Sequence, residues 1–435
     1  MSEAGVLAGQ ASLAEAVRKA GWRLLPFLLL LYVLAFLDRA NVGFAKQALM
    51  RDTGLSEAAY AFGAGLFFAG YAVLEVPSNL LLHRLGARVW LARIMVSWGL
   101  ISAAMMFARS APVFCLLRFL LGVAEAGFFP GVILYLTYWF PASARARMLG
   151  WFYLGAPLAL ILGGPVSGLL MEWDGRLGLR GWQWMFLVEG LAAAVVGVWT
   201  FWYLPSRPAE AAWLTVLERQ ALQTKLAEEA DARRAHSPGD LWAALRHPRV
   251  LRLAGLYLLI QMSVYGVTFY LPAQVEKLLG RPAGWTVGVV SALPWVCALV
   301  AAWAVPRWGS RTARPHRLAA GVLLVAAGGI ALSASPLPLP ALLGLCLAAA
   351  GFIGVQPVFW TFPTGELTGV AAAGGIALIN SFGAAGGFLA PNVRVWTSQL
   401  LGVPEAGIFA LTATTVAGAV LFFRLRSATA PRSWP

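Results

Sequence analysis

Residues 112–140, PVFCLLRFLLGVAEAGFFPGVILYLTYWF, form an apolar stretch long enough to cross a bilayer and hold two charges, Arg118 and Glu125. A hydrocarbon core of ~30 Å needs about 20 helical residues, which this stretch supplies. A charge near the centre of such a helix costs about 2.5–3.5 kcal/mol on insertion scales, so it calls for a function or a partner. Arg118 and Glu125 are seven residues apart, two helical turns, and project from one face roughly 10 Å apart in depth. Gly122 lies on the same stripe and leaves the backbone open there. A membrane helix with a cation and an acid on one face requires a polar cavity and complementary groups elsewhere in the chain.

The composition agrees with a membrane setting. Sixty per cent of the 435 residues are apolar and 12% are charged, with a mean hydropathy of +0.72. A soluble chain carries about 25% charged residues, so the fold class expected is an all-α polytopic membrane protein. The net charge of +14 is spread over short segments between apolar runs, where Lys and Arg set topology; no nucleic-acid partner is expected. Residues 1–21 show no cleavable signal peptide. Cys115, Cys297 and Cys346 all fall within apolar spans, an odd set that forms no disulfide framework, and His83, His236, His247 and His316 lack metal-ligand spacing. No metal and no cofactor are expected.

About twelve apolar runs of spanning length follow one another, near 22–43, 58–80, 89–108, 112–135, 146–170 and 183–204, then near 251–273, 285–305, 317–334, 340–362, 371–393 and 405–425. The longest polar segment, 205–250, separates the two sets. The expectation is twelve transmembrane helices in two six-helix bundles, 1–204 and 251–435, joined by a cytoplasmic connector over 205–250. With the N-terminus inside, the inward segments hold 23 Lys and Arg residues and the outward ones 8. That bias places both termini in the cytoplasm.

The first span, LLPFLLLLYVLAFLDRANVGFA (24–45), runs through fourteen apolar residues before Asp38 and Arg39. At ~1.5 Å per residue, Asp38 lies about 24 Å above the cytoplasmic start, level with Arg118, which lies ~9 Å below the outer surface. Glu125 lies about 10 Å deeper. Neighbouring residues diverge by ~100° on a helix, so Asp38 and Arg39 cannot face one partner. The two cations and two acids sum to zero charge. An anion entering such a site adds negative charge unless a carboxylate first takes a proton, which couples proton binding to anion binding. The competing reading is a pair of structural salt bridges. Glu75 and Glu189 also sit within spans, each nearer an end, and read as structural; Glu366 stands at the cytoplasmic mouth of the tenth span.

The stretches LDRANVGFA (37–45), YAVLEVPSNLLLHRLGARVWLAR (71–93), RFLLGVAEAGFFPGVILYLTYWFP (118–141), GWQWMFLVEG (181–190) and ALINSFGAAGGFLAPN (377–392) resemble the anion:cation symporter family of the major facilitator superfamily. That group includes bacterial carriers of tartrate, phthalate, galactonate and glucarate. The resemblance runs over nearly the whole chain and implies the major facilitator fold, in a proton-driven, alternating-access carrier of small organic anions in the bacterial inner membrane. It implies proton-coupling roles for Asp38 and Glu125 and substrate or gating roles for Arg39 and Arg118. It also places Tyr71, Trp360 and Asn380 at the substrate, with Tyr265, Gln356 and Ser381 as further candidates. HRLGARVWLAR (83–93) resembles the superfamily's loop between the second and third spans. Arg84 and Arg88 keep its basic part, Gly86 permits its tight turn, and His83 stands where that loop usually has an acid.

Glycine and proline crowd the fifth span (Gly155, Pro157, Gly163, Gly164, Pro165) and the eleventh (Gly383, Gly386, Gly387, Pro391), allowing close helix contact and bending. No paired acids at metal–diphosphate spacing, no HExxH and no Ser/His/Asp set points to an enzyme, and no phosphate-binding loop points to an ATP-driven pump. The partners expected are a small organic anion, protons and lipid, and the chain is expected to be a monomer. A facilitator or exchanger of organic anions, its intramembrane charges structural, is the alternative.

Overall fold

The computed structural model describes residues 3–235, 248–312, 314–366 and 369–425. Among these residues the fold is helical, with no strand. The first half contains α1 (Glu3–Thr53), α2 (Glu57–Leu85), α3 (Ala87–Ala104), α4 (Ala111–Glu125), α5 (Phe128–Trp139), α6 (Ala142–Tyr153), α7 (Gly155–Met171) and α8 (Gly181–Tyr203). After α9 (Val216–Ala235) the second half contains α10 (Pro248–Thr268), α11 (Leu271–Leu279), α12 (Trp285–Arg311), α13 (Pro315–Leu332), α14 (Pro338–Glu366), α15 (Gly369–Leu401) and α16 (Ala406–Arg424). Eleven helical stretches among the described residues are long and apolar enough to cross a membrane. The expected span near 371–393 lies within α15.

Three expected spans are broken helices. The fourth breaks between α4 and α5, where Ala126 leaves helical geometry and Gly127 takes φ +83°. A side chain at Gly127 would be strained in that region and would run into Ser78 Oγ. The fifth span breaks at Leu154 and the seventh at Phe269–Tyr270. Apolar periodicity alone shows none of these interruptions. At membrane depth they free backbone groups where protein or a cavity can satisfy them.

The chain forms two compact units. The first comprises Met1–Asn41, Ala69–Leu160 and Trp173–Pro238. In it α3 and α8 cross closely through small residues: a Cβ on Gly99 would meet Ala194 N at 2.5 Å and Gly190 O at 2.6 Å. Without a hydrophobic driving force between helices in lipid, such close backbone approach is what holds two spans together. The polar helix α9 docks on the same unit. Lys19 Nζ pairs with Glu218 at 2.7 Å, and Glu229 accepts the Ala142 N–H at 3.0 Å, capping the start of α6. The hydrogen bond from Lys19, with the Thr215 backbone N–H, holds the Glu218 carboxyl below its ordinary 4.5. Its contribution to docking is therefore full above that value and lost as pH falls through the lowered one.

The second unit comprises Val42–Phe68, Ile161–Glu172 and Gly239–Pro435. Lys46 and Arg394, counted from sequence among the outward topology charges, are drawn into an aromatic clamp here. Lys46 Nζ bonds Glu57 Oε1 at 2.7 Å and lies 4.3 Å from the Tyr270 ring centre, while the Arg394 guanidinium lies 4.0 Å from the same ring. Tyr60 Oη donates toward the Val42 and Phe269 carbonyls at 3.1 and 3.2 Å. A desolvated cation–π contact contributes about 1–2 kcal/mol. Tyr270→Leu, which removes both, is expected to lower the thermal midpoint of purified protein by roughly 2–4 °C, as followed by intrinsic fluorescence. No shift would mean that the ring carries neither cation.

Candidate functional site

Three residues of α1 anchor the site. Asp38 and Asn41 are three apart and share a face, and Arg39 points elsewhere. Asn41 Nδ2 donates to Asp38 Oδ1 at 3.2 Å, and Ser102 Oγ of α3 donates to the same oxygen. Arg39 turns to α4: its Nε and Nη2 donate to Glu125 Oε1 at 2.8 and 2.5 Å. The divergence expected of Asp38 and Arg39 is thus seen, with Glu125 as the arginine's partner. The Arg39 guanidinium also lies 5.2 Å from the Tyr71 ring centre and 5.3 Å from that of Phe36.

Arg118 and Glu125 are wholly buried and Asp38 is 3% exposed. The Arg39 side chain, at 13%, is the most accessible of the four. Glu125 is the last residue of α4, directly before the Ala126–Gly127 break. That places an acid where the helix gives up its regular hydrogen bonds.

The sequence reading set Glu189 apart from this group, and the structure joins it. Glu189, 4% exposed on α8, accepts a hydrogen bond from Asn41 Nδ2 at 3.1 Å. The close α3–α8 crossing brings Ser102 and Glu189 to α1. A depth count could have found it: Glu189 lies eight residues into α8, about 12 Å along that span by the helical rise, level with Asp38 and Arg118.

The remaining candidates divide between the units. Tyr71 is buried in the first unit beside Arg39. The α2–α3 loop also lies there. Gly86 takes φ +86° between the two helices. Arg84 is exposed, while Arg88 bonds Leu204 O at 2.8 Å and Glu210 at 3.0 Å, tying the loop to the segment after α8. His83 Nδ1 meets Tyr138 Oη at 2.8 Å. In the second unit Trp360 packs edge-on against Tyr257 at 5.0 Å, and Tyr257 stacks on Phe359. Tyr265 is buried against Phe68. Gln356 donates to Phe352 O one turn back at 3.2 Å. Asn380 is half-buried and Ser381 exposed on α15. The Glu366 side chain lies outside the described residues.

The model of the Major Facilitator Superfamily matches residues 28–391. This chain belongs to the major facilitator superfamily. It is 50% identical over 416 residues to an Escherichia coli protein named inner membrane transport protein RhmT, covering 96% of each chain. It is 42% identical over 410 residues to a putative tartrate transporter of Agrobacterium vitis, covering 94% of this chain and 90% of that one. Among solved structures, a bacterial homologue of the lysosomal transporter Spinster, inward-facing and occupied, superimposes with a TM-score of 0.71 at 16% identity, covering 92% of this chain and 95% of that one; at that identity the likeness is one of fold. The chain is an integral membrane transporter of this superfamily, not an enzyme.

Proposed function

We propose that the protein is a proton-coupled symporter importing a small organic anion: a sugar acid, a hydroxy-dicarboxylate or an aromatic carboxylate. The observation that carries this reading is the buried ion pair of Arg39 with Glu125. While Glu125 is ionised it occupies the guanidinium, the group best shaped to hold a carboxylate. A proton on Glu125 weakens that hold and lets an incoming carboxylate take Arg39. The anion then replaces the charge the proton removed, and binding of each favours the other. Arg118 adds a second cation on the same face of α4. Tyr71, Trp360, Asn380, Tyr265, Gln356 and Ser381 offer hydroxyl, amide and ring surfaces for the rest of the substrate. The tartrate name carried by relatives fits a hydroxy acid.

Residues 1–204 and 251–435 act as the two halves of an alternating-access carrier in the bacterial inner membrane, a monomer with both termini cytoplasmic and 205–250 between the halves. The burial of the Arg39–Glu125 pair also suits a second reading, a facilitator or exchanger in which the pair only braces α1 against α4. Uptake into proteoliposomes separates the two. A panel of carboxylates is first screened for thermal stabilisation of the purified protein. Symport predicts that the stabilising acid accumulates against its gradient when the outside is acidified and that a protonophore abolishes this. Equilibration indifferent to the protonophore supports the facilitator.

A further inference from the structure

We infer that Glu189 is a third proton-carrying group of this transporter, coupled to Asp38 through the amide of Asn41. The inference rests on the symport reading above. One nitrogen, Asn41 Nδ2, donates to Asp38 Oδ1 and to Glu189 Oε2 at 3.2 and 3.1 Å. The two carboxylate oxygens therefore stand no more than about 6 Å apart, within the range at which one acid's charge resists ionisation of the other. Both acids are buried, at 3% and 4% exposure. Asp38 Oδ2 has no hydrogen-bond partner among the described residues, leaving a position that a proton can occupy.

Charged and titratable groups near the pair come from three helices. From α1 comes Arg39, committed to Glu125. From α4 come Arg118 and Glu125, both within electrostatic reach of Asp38. From α2 come Tyr71, beside Arg39, and Glu75, within electrostatic reach of Tyr71. The α3 helix supplies the neutral Ser102. Of these acids Asp38, Glu125 and Glu189 are buried. The shared amide brings the two carboxyls close enough for the Asp38–Glu189 pair to hold one proton between them. A further proton on Glu125 then opens the guanidinium to the anion.

Uptake of the acid selected by the thermal screen, measured in proteoliposomes across a pH gradient over a range of external pH, tests this. Glu189→Gln keeps the side-chain length and an acceptor oxygen for Asn41 but cannot titrate; Glu189→Asp keeps the acid and shortens the reach. A proton-carrying Glu189 predicts at least a ~10-fold loss of accumulation and a flattened pH profile for Gln, with Asp closer to wild type. A bracing role predicts the reverse order, with the wild-type pH profile at a scaled rate, and overturns the inference. Asn41→Leu gives a second reading should Glu189→Gln not yield monodisperse protein: it leaves both acids and removes the amide between them. A flattened profile supports the inference and a wild-type profile overturns it. Wild-type uptake indifferent to the gradient is a separate outcome, which sinks the symport reading itself.

Discussion

Glu125→Gln is expected to reduce proton-driven accumulation about 100-fold or more, and to leave anion binding as tight at high pH as at low pH. The glutamine mimics the protonated acid. It still meets Arg39 but no longer withholds the full positive charge, so the incoming carboxylate finds the guanidinium open at every pH. The link between proton and anion is then missing, because the group whose titration traded one for the other is gone. A 100-fold loss corresponds to about 2.7 kcal/mol of coupling, within the usual span for linked sites. Asp38→Asn is expected to act in the same direction, since it removes the acid bonded by Ser102 and Asn41. Uptake and equilibrium binding must be measured together. Equal loss of both at all pH values would mean that the acids serve only the packing.

Gly190→Val is expected to remove almost all folded protein. A Cβ at Gly190 would drive into the backbone of α3, against Ala103 N and, at 2.6 Å, Gly99 O. Backbone cannot swing aside as a long side chain can, so α3 and α8 must separate. Overpacking in a fixed interior typically costs 1–3 kcal/mol and here lies at or above the upper end, about 3 kcal/mol or more, because the obstruction is main chain. The crossing also carries Ser102 and Glu189 to Asp38 and Asn41, so the charge cluster falls with it. The check is the monodisperse fraction on size-exclusion chromatography of detergent extracts. Gly321→Ala on α13 is the control. Nothing lies within 4 Å of its added Cβ, and helix propensity favours alanine by about 0.5–1 kcal/mol. Normal yield from both variants would mean that the close crossing is not what holds the first unit.

Much of this was open to reading in the sequence because insertion into a bilayer makes apolar length and buried charge conspicuous. Asp38, Arg39, Arg118 and Glu125 stand out since a charge in mid-span is costly, and the helical rise alone sets their depths. What the rise and the 100° turn cannot give is lateral distance between helices. Arg39 could be seen to diverge from Asp38, but its bond to Glu125 depends on how α1 lies against α4. Glu189 read as structural for the same reason: its tie to Asp38 runs through Asn41, a neutral residue that no charge count detects. The Ala126–Gly127 break was hidden by unbroken apolarity, although Gly127 with Pro130 three residues on carried a faint sign of it. Lys46 read as a topology charge because hydropathy does not register that aromatic rings on other helices can enclose a cation.

The central claim is that anion and proton enter together, and it is tested most directly by recording the pH outside weakly buffered proteoliposomes when the selected carboxylate is added. The account predicts a rise in external pH with wild-type protein as protons follow the anion inward, and none with Glu125→Gln. Entry of labelled anion through the wild type with no movement of protons would contradict it.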